Sequence, residues 1–183
     1  VLAVNALGAI VVPVNFRMAP PEVLHLVTDT TARAIVYEPA FDALVDAVVE
    51  LPGGAVDLRI RTDGARGDAV DYESLVDQGL DLRPIDVPET TPAAIMYTSG
   101  TTGRPKGAVL THVNLQAQAM HNMVAPCVVD HEAISAIAVP VFHIAALGVL
   151  STCLLDGVGT ILFPLQQFDP AATLDAMERE RIT

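Results

Sequence analysis

The sequence predicts an α/β fold, predominantly parallel sheets flanked by helices, and three observations lead there. Short β-branched runs alternate with helical stretches, the rhythm of strands joined by crossover helices. Apolar residues make up 51% of the 183 positions, enough for one good core. Trp is absent and aromatics are only 4%, so that core must rest on Ala, Val, Leu and Ile, the usual composition of strands covered on both faces.

The elements follow in order. Residues 1–8 read as an apolar helix stopped by Gly8, and 10–14 as a short strand. Pro20-Pro21-Glu22 opens a helix to about Asp29, because proline suits a first helical turn. Residues 33–37 read as a strand and 39–50 as a helix, which completes a first set of βα elements over 1–50. From 51 to 92 the texture turns to Gly, Asp, Arg and Pro, read as a solvated connecting region with a strand near 58–61 and a short helix around 72–78. The third part, 93–183, opens with a strand at 93–98, a loop, a second strand at 108–110 and a helix over 112–123 with Thr111 as its N-cap. Farther on, 159–163 reads as a strand, and Asp169 caps a last helix to about Arg181. The chain starts at Val1 inside a helix-like run and stops after a charged helix, so both ends are expected to be cuts through a larger protein.

Ala133 to Leu155 contains no Asp, Glu, Lys or Arg and is long enough to span a bilayer. Pro140 and His143 interrupt it, and it reads instead as a buried strand at 133–139, a turn, and a buried helix at 143–155. Peripheral membrane contact and self-association into a homo-oligomer stay open. A net charge of -12 makes the chain a poor nucleic-acid binder. Cys127 and Cys153 show neither metal spacing nor a disulfide framework, and with no secretory leader ahead of them the expected compartment is the cytoplasm.

The chemistry is concentrated in one loop. The only lysine, Lys106, lies in the run Tyr97-Thr98-Ser99-Gly100-Thr101-Thr102-Gly103-Arg104-Pro105-Lys106-Gly107. Glycines let backbone N–H groups approach an anion, hydroxyls add neutral donors or a metal ligand, and one ammonium neutralises what the dipoles cannot. From Thr90 to Val129 there is no Asp or Glu, and the formal charges are Arg104 and Lys106. Carboxylates would repel a polyphosphate, so the acid-free window favours an anionic ligand, although buried apolar elements avoid charge as well. The loop is not a Walker A motif: Arg104-Pro105 separate Gly103 from Lys106, Gly107 follows the lysine, and a strand comes next. No G-x-G-x-x-G occurs, so a dinucleotide fold gains no support.

Tyr97 to Gly107 resembles the phosphate-loop signature of the AMP-forming adenylate enzymes, the superfamily of acyl-CoA synthetases, luciferases and peptide-synthetase adenylation domains. The resemblance covers nearly the whole chain. Leu7 to Asn15 with Glu22-Val23 is similar to the family's early strand and helix, Leu110-Thr111-His112-Val113-Asn114-Leu115 continues its loop, and Val139-Pro140-Val141-Phe142-His143 resembles its next motif. Phe168-Asp169-Pro170 onward resembles the helix that follows. The segment 139–147 looks most like fatty acyl-CoA synthetases (long-chain-fatty-acid–CoA ligases), where many members carry a tryptophan gate near the place held here by Leu147.

This resemblance implies a fragment of the layered large N-terminal domain, without the C-terminal domain, of an enzyme that uses ATP, Mg²⁺ and CoA to convert a fatty acid into acyl-AMP and then acyl-CoA. It implies that Thr98, Ser99, Gly100, Thr101, Thr102 and Gly103 hold the β- and γ-phosphates, with Lys106 over the leaving group and Thr98 as a hydroxyl ligand to Mg²⁺. His143 would line the carboxylate end of the acyl pocket; without that context a lone His on an apolar stretch reads as a satisfied core residue. The family's adenine segment, ribose-binding Asp, Mg²⁺-binding Glu and late lysine have no counterpart in 1–183, so the fragment alone is expected to be inactive. An aryl-acid or amino-acid adenylating enzyme is the runner-up, and a nucleotide- or acyl-binding remnant without turnover is the non-enzyme alternative.

Overall fold

The computed structural model describes residues 1–79, 81, 83–98, 104–124, 132–163 and 169–183. It divides into two compact units, one of residues 14–83 and one of 1–13 with 84–183.

In the unit of residues 14–83, helix α2 (Pro20–Asp29) starts on the proline pair, and the Glu22 carboxylate accepts the Ala19 N–H at 2.8 Å. Its Val23, Leu26 and Val27 are buried, the i, i+3, i+4 spacing of one helix face. Strand β1 (Ala34–Tyr37) leads through a short 3₁₀ turn (Pro39–Phe41) into α3 (Asp42–Val49), where a single helix over 39–50 was expected. Val23 and Val27 of α2 pack on Val48 of α3, while Val45 of α3 packs on Tyr37 and Ala69. The stretch 51–92, read from the sequence as a connection holding a strand near 58–61 and a short helix around 72–78, carries both, as β2 (Leu58–Arg61) and α4 (Tyr72–Val76), and adds the unexpected β3 (Val70–Asp71). Both strands join β1 in one parallel sheet of order β1-β2-β3.

Strand register sorts the charges in this sheet. Ile35 lies beside Arg59 and Tyr37 beside Arg61, so these arginines share the face that α3 covers. There Arg61 grips Asp42 with two nitrogens, at 2.9 and 3.0 Å, and gives its third to the carbonyls of Asp63 and Gly64. Arg66 bonds Asp46 at 2.7 Å, and Arg59 pairs with Asp68. Apolar cover and ion pairs thus close the same face.

The unit of residues 1–13 and 84–183 begins with α1 (Leu2–Ala6). Gly8, at φ +67°, lets Ala9 N–H reach Val4 O at 3.1 Å and its own N–H reach Asn5 O at 2.9 Å, the Schellman closure that a Cβ would strain. Residues 10–14 do not form the expected strand. Val11 makes one parallel bridge to Ala94, donating to Ala93 O and accepting from Ile95 N–H, and Pro13 has no N–H with which to extend the pairing. Strand β4 (Pro92–Thr98) and β5 (Lys106–Thr111) form an antiparallel ladder, and α5 (His112–Val124) follows. Thr111 caps α5 as expected, its hydroxyl accepting Asn114 N–H at 3.3 Å while Asn114 Oδ1 accepts Thr111 N–H at 3.0 Å.

Strand β6 (Ile134–Ile137) pairs in parallel with β7 (Gly159–Leu162) across α6 (Ile144–Asp156), and α7 (Pro170–Arg179) ends the unit behind its Asp169 cap. Among the described residues no helix is long and apolar enough to cross a membrane. Helix α6 is buried on one side only: Ala146, Leu147, Gly148, Thr152 and Cys153 are inside, whereas Ile144, Leu154 and Leu155 are exposed.

Hydrogen bonds from Arg61 hold the Asp42 carboxyl below its ordinary pKa, with burial opposing. A carboxyl lowered in the folded state stabilises above its unfolded pKa and loses that contribution as pH falls through the folded value. The urea midpoints of wild type and Asp42→Asn should therefore differ at pH 7 and converge below about pH 4. Midpoints separated by a constant amount down to acid pH would contradict this role.

Candidate functional site

The β4–β5 ladder sets the site. Its register pairs Ala94 with Leu110, Met96 with Ala108 and Thr98 with Lys106. Directly opposed residues share a sheet face, with Cβ atoms about 4.5–5.5 Å apart. Ala94 and Met96 are buried on that face under Leu147 of α6, with Leu110 and Leu115 packed against them. Two residues farther along, the cover ends, and Thr98 and Lys106 emerge exposed. The ladder therefore holds a hydroxyl beside an ammonium at its open end.

The other face explains Gly107. A Cβ there would lie 2.7 Å from Ile95 Cγ2 and 3.1 Å from Tyr97 Cζ, so the two side chains close over bare backbone. Any larger residue next to Lys106 would push Tyr97 or the strand aside. In the sequence this glycine reads only as part of a phosphate cradle, and its packing role appears once the register is known.

His143 is placed by α6. It is the N-cap: Nδ1 accepts the Ala145 N–H at 3.2 Å, which leaves the ring proton to Nε2. The residue is exposed, and it precedes by one helical turn the Leu147 that packs on the hairpin face. The structure thus brings Thr98 and Lys106 together and sets His143 on the helix that covers their face. Ser99, Gly100, Thr101, Thr102 and Gly103 lie outside the described residues.

The charge environment is one-sided. Arg33, Arg59, Arg61, Arg66 and Arg179 each meet a carboxylate, whereas among the described residues Arg104 and Lys106, like Arg17, Arg83 and Arg181, meet none. No cluster of His, Cys, Asp or Glu among the described residues could hold a metal ion. Thr98 offers a hydroxyl that could ligate a cation, with water or a bound anion among the other ligands. Away from the hairpin, α5 and α6 leave a shallow groove of about 200 Å³ bordered by His112, Leu115, Gln116, Ser151 and Leu154.

The chain matches the AMP-binding enzyme family over residues 1–183. It is 36% identical to a feruloyl-CoA synthase of Amycolatopsis sp over 176 residues, 96% of this chain and 33% of that protein. With the long-chain-fatty-acid–CoA ligase FadD13 of Mycobacterium tuberculosis it shares 32% identity over 178 residues, 96% of this chain and 34% of the relative. The chain spans about a third of the length of the curated relatives it matches. Among solved structures, the inhibitor-bound N-terminal domain of FACL13 from Mycobacterium tuberculosis superposes with a TM-score of 0.82 at 29% identity, covering 98% of this chain and 43% of that one. ATP-bound MatB from Rhodopseudomonas palustris gives 0.75 at 30% identity, covering 97% and 34%. These matches bear out the α/β fold with its parallel sheets.

The cap geometry at His143 is open to a direct check. His143→Asn keeps an acceptor at the δ1 position and should hold thermal stability within about 0.5 kcal/mol, whereas His143→Ala should cost about 0.5–1 kcal/mol. Equal melting temperatures for wild type, Asn and Ala would show that the cap carries no stability.

Proposed function

The chain belongs to the AMP-binding enzyme family, and from that premise we propose that the complete polypeptide activates a carboxylic acid with ATP and transfers the acyl group to CoA. We take residues 1–183 as part of its N-terminal domain, working in the cytoplasm. The observation that carries the reading is the opposition of Thr98 and Lys106 at the open end of the β4–β5 ladder.

Adenylation requires little help from a base, because the attacking acid is already a carboxylate at neutral pH. Its difficulty is charge: an anion must approach the α-phosphate while pyrophosphate leaves. Lys106 is exposed and, among the described residues, unpaired, so its ammonium is available to neutralise charge building on the departing pyrophosphate. Thr98 offers its hydroxyl to the same tail, and Ser99, Gly100, Thr101, Thr102 and Gly103 are the residues we assign with it to hold the β- and γ-phosphates. Mg²⁺ arriving with ATP would take Thr98 as one ligand and supply further charge neutralisation there. His143, with its proton on Nε2, offers a hydrogen bond to the carboxylate of the acid, held by its cap to α6. The CoA thiol then attacks the acyl-AMP carbonyl, the thioester forms, and AMP leaves.

A fatty acid is the acid class we favour, on the segment 139–147, free of Asp, Glu, Lys and Arg, that leads from β6 into α6. An aryl acid is the second reading, favoured by the 36% identity to a protein named for feruloyl-CoA synthesis.

The test is acid-dependent ATP–pyrophosphate exchange by the complete polypeptide, run over fatty, aryl and amino acids. Lys106→Ala should reduce exchange by about 100-fold with whichever acid is accepted. An unchanged exchange rate would remove Lys106 from the reaction, and exchange with amino acids alone would overturn the acid class.

A further inference from the structure

We propose that Arg104 is a second cation for the polyphosphate tail of the nucleotide, drawing it in and holding it while Lys106 acts on the leaving group. The proposal rests on the phosphate-handling reading of this hairpin and adds a residue that reading does not use. Three observations meet at Arg104. It is exposed, and among the described residues its guanidinium meets no carboxylate; five other arginines do, and Arg17, Arg83 and Arg181, which like it do not, lie far along the chain from Lys106. No Asp or Glu occurs from Thr90 to Val129, so neighbouring sequence offers it none either.

Its position relative to Lys106 is the third. One residue separates them, so their Cα atoms are at most about 7 Å apart. That residue is Pro105, whose ring fixes its own φ and biases Arg104 toward extended backbone. Two long cationic side chains rooted so close repel one another weakly when alone. A bound anion of several charges reverses that term, and a guanidinium can meet two phosphate oxygens at once. The chemistry that suits the pair is a triphosphate or pyrophosphate, not a single carboxylate, which one cation would satisfy.

The experiment uses the complete polypeptide and compares wild type, Arg104→Gln, Arg104→Lys and Lys106→Ala in ATP–pyrophosphate exchange, with magnesium ATP varied at low and high salt. Removing one exposed charge from the tail should raise KM for ATP by about three- to tenfold at about 50 mM salt and by less at about 200 mM, with kcat changed less than KM. Arg104→Lys keeps the charge without the two-oxygen contact and should recover part of the loss. A KM and salt dependence unchanged in Arg104→Gln, or a fall in kcat with KM intact, would overturn the role of Arg104. If Lys106→Ala is impaired while Arg104→Gln is silent, only this proposal falls; if both are silent, the phosphate-handling reading falls with it.

Discussion

The ladder between β4 and β5 sets the residue that carries a hydroxyl, Thr98, directly opposite the one that carries an ammonium, Lys106. Thr98 and Lys106 are the last pair of that ladder, and behind them Ala94 and Met96 of β4 are buried under Leu147, with Leu110 of β5 packed against them. Packing on one face and the Ile95–Tyr97 closure over Gly107 on the other leave the strands little freedom to slide. A one-residue slip would turn Lys106 to the opposite face and bury the wrong side chains. Polar groups held in place before a ligand arrives need no reorganisation when charge moves, which is the physical basis of electrostatic catalysis.

Charge is distributed to the same end. The unit of residues 14–83 uses its acids against its own arginines, Asp42 and Asp46 of α3 answering Arg61 and Arg66. Arg104 and Lys106 have no such partners among the described residues, and the surrounding forty positions carry no acid to compete with a ligand. An acidic protein can in this way keep a local positive potential for an anionic substrate.

Much of this was legible in the sequence where local chemistry decides structure. Pro20-Pro21-Glu22 marks the start of α2, Thr111 and Asp169 cap the helices they precede, and β2 occupies the expected 58–61. Legibility failed where a distant partner decides. Residues 10–14 have strand composition, yet the structure gives them one bridge, and the fate of 51–92 depended on pairing with β1. The uncharged stretch 143–155 reads as wholly buried, but only one side of α6 has a partner. At the site, the loop composition announced an anion, whereas the antiparallel register that opposes Thr98 to Lys106 and the capping bond of His143 required coordinates.

The most direct measurement is a crystal structure of the complete polypeptide with ATP and magnesium. The account predicts the β- and γ-phosphates within hydrogen-bonding reach of the Thr98 hydroxyl and the Lys106 ammonium, at the open end of the ladder. A triphosphate bound elsewhere, with Lys106 facing solvent, would contradict it.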